Sequence, residues 1–283
     1  MCGRDAEPGV PVVFAKLVDS VRHYLLAVQF FTRIPVTGRL AAWVGFSPAM
    51  LRASAAHFPG VGWLVALVAC AVATLSGMLL HGRMGSALVT AVLCTIATVL
   101  LTGGFHEDGL ADVADGLGSS VGRDRALDTM KDSRIGAYGA MALVLALTTK
   151  VALLALFNAY SGTALLAALV GGHVWSRFCP LVLVRLLPHV GDTATSKSKP
   201  LADQISRRAL GVAFLWCFMP LALVGYVQAA PFLIAGMLTS VVALVWMGRM
   251  FQRRLQGFTG DCLGATQQVC EIAFYLGAAA ALA

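Results

Sequence analysis

The chain has 283 residues, of which 58% are hydrophobic and only 12% are charged, whereas a soluble domain typically carries roughly 25% charged residues. This composition argues against a soluble globule, and the mean hydropathy of +0.79 indicates a multi-pass helical membrane protein. The apolar runs lack the two-residue alternation of a transmembrane barrel. The net charge of +7 arises from 21 Lys and Arg residues spread over separate loops, so no contiguous basic patch predicts nucleic-acid binding.

Apolar windows of about 20 residues, the length that crosses a bilayer, predict an all-α, polytopic protein with six to seven transmembrane helices. The windows are 59–80, 85–103, 136–157, 162–184, 209–228, 231–248 and 264–283. Tight hairpins join the first window to the second, the third to the fourth and the fifth to the sixth. The last window is the weakest, because it contains Gln267, Gln268 and Glu271, and an interfacial position for it would reduce the count to six. We predict one integral-membrane catalytic domain over 1–283, which begins with a cytoplasmic or interfacial segment at 1–58.

The distribution of positive charge predicts the orientation of these helices. Cytoplasmic loops retain Lys and Arg, and eighteen of the 21 lie in segments on one side of the predicted spans. These segments are 1–58, 104–135, 185–208 and 249–263. The short hairpins on the other side hold only Arg83. We therefore expect a protein of the cytoplasmic membrane whose polar loops, and with them the active site, face the cytoplasm.

Half of the carboxylates in the chain lie in one stretch, 107–132. If this stretch continues the second span as a helix, Asp108, Asp112 and Asp115 stand at i, i+4 and i+7 and share one face. Like charges so arranged repel, and a bound Mg²⁺, which prefers hard oxygen ligands, would remove that cost. The alternative is a solvated acidic loop balanced by neighbouring Arg and Lys residues. His106 fits three interpretations equally: a base, a ligand or an interfacial imidazole.

Several motifs, in the same order along the chain, carry a resemblance to one known family. GGFHEDGLADVADGL at 103–117, followed by MKDSRIGAYGA at 130–140, closely resembles the cobalamin synthase family, the adenosylcobinamide-GDP ribazoletransferases. FFTRIPV at 30–36 and HFPGVG at 57–62 are similar to the N-terminal signature of that family. FTGDCLGA at 258–265 is similar to its C-terminal signature. The resemblance extends along almost the whole chain.

The resemblance implies a Mg²⁺-dependent membrane transferase that joins α-ribazole, or its 5′-phosphate, to adenosylcobinamide-GDP and releases GMP. It leaves open whether the chain forms a homo-oligomer or contacts other enzymes of cobalamin biosynthesis. The expected metal ligands are Glu107, Asp108, Asp112 and Asp115, although Glu107 stands where the family often has a hydrophobic residue. Either Asp112 or Asp115 is alternatively the acceptor of the hydroxyl proton, and His106 is a third catalytic candidate.

A second polar stretch is predicted to bind the substrate phosphates. Lys131, Asp132, Ser133 and Arg134 precede the third span, and the planar guanidinium of Arg134 suits bidentate phosphate contact. The alternative for Arg134 is a snorkelling anchor at the membrane boundary.

Three further residues are candidates for substrate binding. Arg33 has the same two interpretations as Arg134. Arg177, four residues after His173 in a predicted span, is expected to face the bundle interior and to line a corrinoid or nucleotide cavity. The motif match assigns Asp261 a ligand or nucleotide role, and its alternative is a local ion pair with the preceding Arg residues.

Two other function classes are compatible with a polytopic chain. A secondary transporter would hold its substrate near the bilayer midplane between related halves, whereas these carboxylates collect at one predicted boundary and no two-half symmetry is visible. CDP-alcohol phosphotransferases carry Asp-Gly-x-x-Ala-Arg, and here Asp112 and Val113 stand where that family has the Ala and the Arg. The favoured function is the one that the family resemblance implies, transfer of the cobinamide-bearing phosphoryl group from the GDP-activated corrinoid to ribazole. Such phosphoryl transfer needs charge neutralisation and positioning more than covalent chemistry.

Overall fold

The computed structural model of the protein describes residues 12–119, 122–191 and 205–282. Within these ranges the chain is helical apart from its connections and one isolated bridge between His189 and Phe258, which confirms the predicted all-α class. A 3-10 turn, Ala55–His57, separates the third and fourth helices. The α-helices are α1 (Val12–Phe31), α2 (Gly38–Val44), α3 (Pro48–Ser54), α4 (Phe58–Leu79), α5 (Ser86–Thr102), α6 (Phe105–Ser119), α7 (Arg123–Met130), α8 (Ala137–Tyr160), α9 (Gly162–Leu186), α10 (Arg207–Val227), α11 (Ala230–Arg254) and α12 (Gly260–Ala280).

Five segments are long and apolar enough to cross a membrane. They are Pro48–Leu79, which contains α3 and α4, and the helices α8, α9, α10 and α11. Taken together as one bent segment, α5 and α6 are also long and apolar enough to cross a membrane. The described residues therefore hold five or six candidate spans. The multi-pass architecture is confirmed, and the three predicted hairpins lie at α4–α5, α8–α9 and α10–α11.

The N-terminal segment of mixed polarity folds as α1, α2 and α3, and α3 forms the start of the first candidate span. The Arg22 side chain on α1 donates from Nε to the carbonyl oxygen of Val44 at the end of α2, over 3.0 Å. This bond holds α2 back against α1. Of the predicted polar segments, residues 1–11 and 192–204 lie outside the described part of the chain.

Helix α12, where the sequence predicts a seventh span at 264–283, is not among the candidate spans. It packs antiparallel to α11. Two hydrogen bonds join the helices: the Thr239 hydroxyl donates to the carbonyl of Ala273 (2.7 Å), and the Ser240 hydroxyl donates to that of Cys270 (2.8 Å). It also packs against α6, α8 and α9. Most of α12 is therefore buried against other helices, and polar side chains on the buried faces keep its composition less apolar than that of the candidate spans.

The second predicted span ends in a sharp turn. Gly103 and Gly104 follow α5, and both have φ of +71°, a left-handed conformation that glycine adopts without the steric cost of a side chain. Helix α6 leaves this turn at 90° to α5. The acidic stretch therefore does not continue the span in a straight line. The region 104–135, predicted as a catalytic loop, is mostly helical and contains α6 and α7.

Candidate active site

The acidic face of α6 opens onto a cavity of about 640 Å³. The cavity lies between α6, the C-terminal end of α1, the glycine turn after α5 and the start of the segment before α8. Among the predicted site residues, it brings together Arg33, Glu107, Asp108, Asp112 and Ser133. The i, i+4 spacing of Asp108 and Asp112 is realised on one helix face as expected.

The N-terminal end of α12 abuts the same helix. A Cβ atom on Gly109 would lie 2.7 Å from the carbonyl oxygen of Asp261, so only glycine at this position allows α6 and α12 to approach so closely. Asp108 and Asp261 are both near enough to act electrostatically on Asp112. Burial raises the pKa of the Asp261 carboxyl, and the hydrogen bond from the Thr259 hydroxyl, over 3.4 Å, opposes that shift.

Asp115 lies on the same helix face, but both of its carboxylate oxygens accept hydrogen bonds from backbone N–H groups. Its Oδ2 accepts from the N–H of Gly136 (2.7 Å) and its Oδ1 from the N–H of Gly139 (2.8 Å). These N–H groups lie at the start of α8, where the first turn of a helix has no internal acceptors. The carboxylate therefore serves as an N-terminal cap supplied from another helix. It is buried and does not line the cavity.

Glu107 also points into the protein, although it touches the cavity. Its Oε1 accepts from Nε2 of Gln268 on α12 over 3.0 Å. Its Oε2 is buried without a hydrogen-bond partner among the described residues. An unpaired buried carboxylate oxygen is costly, and it is the kind of atom that a cation would satisfy.

His106 lies on the opposite side of α6 from Asp108 and is buried. Its ring stacks on Phe58, with 5.7 Å between centroids, and its Nε2 has no partner in the described part of the chain. It lines a small apolar pocket of about 40 Å³ rather than the acidic cavity. Phe30 and Phe105 line both and separate them. His106, which the sequence leaves as a base, a ligand or an interfacial imidazole, thus lies apart from the carboxylates that line the acidic cavity.

Only Ser133 of the stretch 131–134 lines the cavity. Arg134 is highly exposed and forms a fork with Asp132, with Nη2 at 2.6 Å from Oδ2 and Nε at 3.0 Å from Oδ1. The hydrogen bonds from Arg134 lower the pKa of Asp132 to about 2. Lys131 lies 3.8 Å from Asp128. The donors predicted to bind phosphate thus contact neighbouring carboxylates on the surface next to the cavity.

Arg33 reaches the cavity from the end of α1. Its backbone N–H donates to the carbonyl of Leu101 at the end of α5, over 2.7 Å. Thr32 fixes the same turn, because its hydroxyl donates to Val28 O (2.7 Å) and accepts from Ile34 N–H (3.1 Å). The Arg33 side chain is exposed and makes no hydrogen bond or ion pair with any residue that the structure describes.

Arg177 faces the bundle interior, as predicted for a charge within a span, but it does not line the acidic cavity. Its Nη1 donates to the carbonyl of His173 over 2.8 Å, and its guanidinium carbon lies 5.8 Å from the centre of the Phe58 ring. It belongs to a buried polar network around Glu271. That carboxylate contacts Lys150 Nζ (2.6 Å) and His173 Nδ1 (3.3 Å).

The connection between this network and the acidic cavity is not predictable from the sequence. Gln267 donates to Glu271 over 2.6 Å, and Gln268 donates both to Gln267 Oε1 and to Glu107 Oε1, each over 3.0 Å. In the sequence, the two glutamines only lower the hydropathy of the last predicted span. Their polarity could have predicted an interior position, because polar side chains in an otherwise apolar segment normally face a protein interior.

A divalent cation fits this site only if the protein supplies few ligands. Across residues 12–119, 122–191 and 205–282, no three His, Cys, Asp or Glu side chains are grouped as a ready metal site. The four-carboxylate set predicted from the sequence is thus not assembled in one place, since Asp115 is held by backbone N–H groups. Mg²⁺ is commonly bound through one or two carboxylates, with water and substrate phosphates completing the shell. Asp108, Asp112 and the free oxygen of Glu107 are the candidates for those one or two ligands.

Comparison with known proteins decides the family. The family model described as cobalamin-5-phosphate synthase matches residues 23–279. The chain belongs to the cobalamin-5-phosphate synthase family. The match to this family includes all the residues that line the acidic cavity. No solved structure matches the chain.

Curated relatives from several organisms agree with this family. A protein of Polaromonas sp. (strain JS666 / ATCC BAA-500) is 63% identical over 93% of this chain and 98% of its own length. One from Polaromonas naphthalenivorans is 61% identical over 94% and 100%, and one from Leptothrix cholodnii is 45% identical over 93% and 97%. All three are named adenosylcobinamide-GDP ribazoletransferase. As a cobalamin-5-phosphate synthase family member, the chain is an enzyme of the transferase class.

Proposed function

We propose that this protein joins α-ribazole, or its 5′-phosphate, to adenosylcobinamide-GDP in a Mg²⁺-dependent reaction that releases GMP, on the cytoplasmic face of the membrane. The observation that carries the proposal is the 63% identity, over nearly the full length of both chains, to a relative with that transferase name. The cavity beside α6 supports it, because it combines carboxylates with an Arg and a Ser, the side chains that phosphoryl transfer requires.

Asp108 and the free oxygen of Glu107 are the groups that would hold Mg²⁺ once Asp112 serves as the proton acceptor. When bound, the ion would neutralise charge on the pyrophosphate and on the departing GMP. Arg33 and Ser133 line the same cavity and would bind phosphate oxygens as charged and neutral donors. Asp115 supports this arrangement from behind, by fixing the start of α8 relative to α6.

The reaction needs one proton acceptor. The ribazole hydroxyl oxygen forms a bond to the phosphorus that bears the cobinamide group, the bond from that phosphorus to the GMP oxygen breaks, and the hydroxyl proton leaves. Of the two carboxylates first considered for this proton, Asp115 has both oxygens engaged by backbone N–H groups. Asp112 is half-buried and lines the cavity, so we assign the proton to Asp112.

Release of GMP by the purified full-length protein in lipid vesicles tests this function. We expect GMP only when adenosylcobinamide-GDP, α-ribazole and Mg²⁺ are all present. Asp108→Asn should abolish release, whereas the matched variant Asp124→Asn, which changes a highly exposed carboxylate on α7, should retain it. Accumulation of substrate inside vesicles without GMP release would instead identify a transporter. Equal activity in Asp108→Asn and wild type would remove Asp108 from the site.

A further inference from the structure

The guanidinium of Arg33 lies directly against Gly103. A Cβ atom added at Gly103 would overlap Nε of Arg33 and would lie 2.9 Å from Cζ and 3.0 Å from Cδ, well inside van der Waals contact. Any side chain at position 103 would therefore displace the Arg33 side chain from its present place. The absence of a side chain at Gly103 creates the surface on which Arg33 rests.

The next residue provides an internal comparison. Gly104 has the same φ of +71° as Gly103, so both positions carry the same backbone preference for glycine. A Cβ atom at Gly104, however, would meet nothing within 4 Å. The turn between α5 and α6 thus accounts for glycine at both positions, and the contact with Arg33 is an additional requirement at Gly103 alone.

In this position, Arg33 forms part of the wall of the acidic cavity. Arg33, Gly103 and Gly104 line the cavity together with Asp108 and Asp112. The Arg33 backbone is tied to α5 through Leu101, so the side chain starts from a fixed point. Its guanidinium is charged, donates to no other group within the described residues, and shares a cavity with carboxylates that it does not pair with. A phosphate linked to the carboxylates through a divalent cation would also accept hydrogen bonds from this guanidinium, and both sets of charges would then be satisfied.

We propose that Gly103 is a positioning residue, which seats the Arg33 guanidinium where it binds a phosphate oxygen of the nucleotide-diphosphate substrate. This inference rests on the proposed function for the identity of the substrate. The binding it describes is a property of any nucleoside diphosphate in the cavity, so GDP serves as a probe that requires no turnover.

The experiment compares Gly103→Ala with Gly104→Ala in the full-length protein in lipid vesicles. The two readouts are the Kd for GDP in the presence of Mg²⁺ and the KM for adenosylcobinamide-GDP. Both variants strain the same turn, and only Gly103→Ala displaces Arg33. We expect Gly103→Ala to raise both the Kd and the KM roughly 10- to 100-fold more than Gly104→Ala does. This is the range for the loss of one charge-assisted hydrogen bond. The KM for α-ribazole should change by the same small factor in both.

A double-mutant cycle separates a role through Arg33 from a merely structural one. In an Arg33→Ala background, Gly103→Ala should weaken GDP binding no more than Gly104→Ala does, because the group that Gly103 positions has been removed. If the Ala variants do not fold, Gly103→Asn and Gly104→Asn replace them, since Asn tolerates the left-handed conformation better than Ala.

The outcomes are distinct for the two proposals. Equal effects of the substitutions at 103 and 104, or an undiminished effect of Gly103→Ala without Arg33, would overturn the positioning role. Wild-type protein that binds GDP but releases no GMP would overturn the proposed function, and the order of the GDP affinities would still decide the role of Gly103.

Discussion

The ammonium group of Lys150 lies 2.6 Å from Oε1 of Glu271, and each side chain is at most 2% exposed. The two residues lie on α8 and α12, so this ion pair links a lipid-facing helix to the central one. Glu271 also accepts from Gln267 and from the hydroxyl of Tyr275 (3.1 Å). A buried charge that loses its partner is strongly destabilising, because nothing replaces the water it left.

We predict that Lys150→Met destabilises the folded protein by about 3–5 kcal/mol. The exposed Lys16 on α1 supplies the matched control, and Lys16→Met should leave stability near that of the wild type. Thermal unfolding in detergent, followed by size-exclusion chromatography, measures the difference. Adding Glu271→Gln to Lys150→Met should recover part of the loss, since it removes the unpaired charge. A Lys150→Met protein as stable as wild type would contradict the importance of the pair.

Asp115 and Asp112, three residues apart, should respond in opposite ways to substitution. Asp115→Ala leaves two N–H groups of α8 without an acceptor, at a cost of roughly 1–3 kcal/mol for each that stays dry, and should lower the unfolding temperature. Asp112 makes no side-chain hydrogen bond within the described residues, so Asp112→Ala should keep the wild-type unfolding temperature and lose GMP release. Measuring both properties for both variants tests the division of roles. Loss of stability in Asp112→Ala, with normal stability in Asp115→Ala, would reverse it.

The Arg134 guanidinium is bound to the Asp132 carboxylate, so it can contact a substrate phosphate only if the phosphate replaces that carboxylate. The pKa of Asp132 is lowered to about 2 by Arg134, so the carboxylate stays charged and the pair persists from about pH 3 upward. A change of pH between 5 and 9 therefore does not release Arg134. We predict that Asp132→Asn lowers the KM for adenosylcobinamide-GDP and that Arg134→Lys raises it, since Lys lacks the two-pronged donor. Unchanged KM in both variants would leave Arg134 as a surface anchor.

The loops 104–135 and 249–263 should lie on the same side of the membrane. Arg123 donates to the carbonyl of Leu255 over 2.8 Å, and Arg254 to that of Leu117 over 3.3 Å. We predict that Asp124→Cys and Gln252→Cys react with an impermeant maleimide only from the cytoplasmic side. Arg83→Cys, in the exposed hairpin between α4 and α5, should react only from the other side. Labelling of Asp124→Cys and Arg83→Cys from one common side would contradict the predicted orientation.

Periodicity was sufficient to predict most of the fold and part of the site. Apolar windows located α4, α5, α8, α9, α10 and α11, because lipid-facing helices must be apolar along their length. The shared face of Asp108 and Asp112 followed from helical spacing. By the same spacing Asp115 looked equivalent, and only the packing of α8 against α6 distinguishes it. Contacts between residues distant in sequence set such differences, and one sequence does not contain them.

The bend and the central helix were beyond sequence reasoning for related reasons. The pair Gly103 and Gly104 was visible, but a glycine pair permits a turn without fixing its angle. The angle of 90° depends on what α6 packs against. For α12, hydropathy is a poor guide, because most of this helix is buried against α6, α8, α9 and α11.

The position of α12 also constrains how the protein is made. Its Gln267, Gln268 and Glu271 side chains would be costly to expose to lipid, and a charged residue at the centre of a span costs about 2.5–3.5 kcal/mol on insertion scales. The helices that enclose it all precede it along the chain, so ribosomes synthesise the enclosing bundle first. We therefore expect correct placement of α12 to depend on prior assembly of the helices around it. A substitution such as Lys150→Met, far upstream, is then expected to impair biogenesis as well as stability, because it removes the partner that Glu271 contacts in the folded protein.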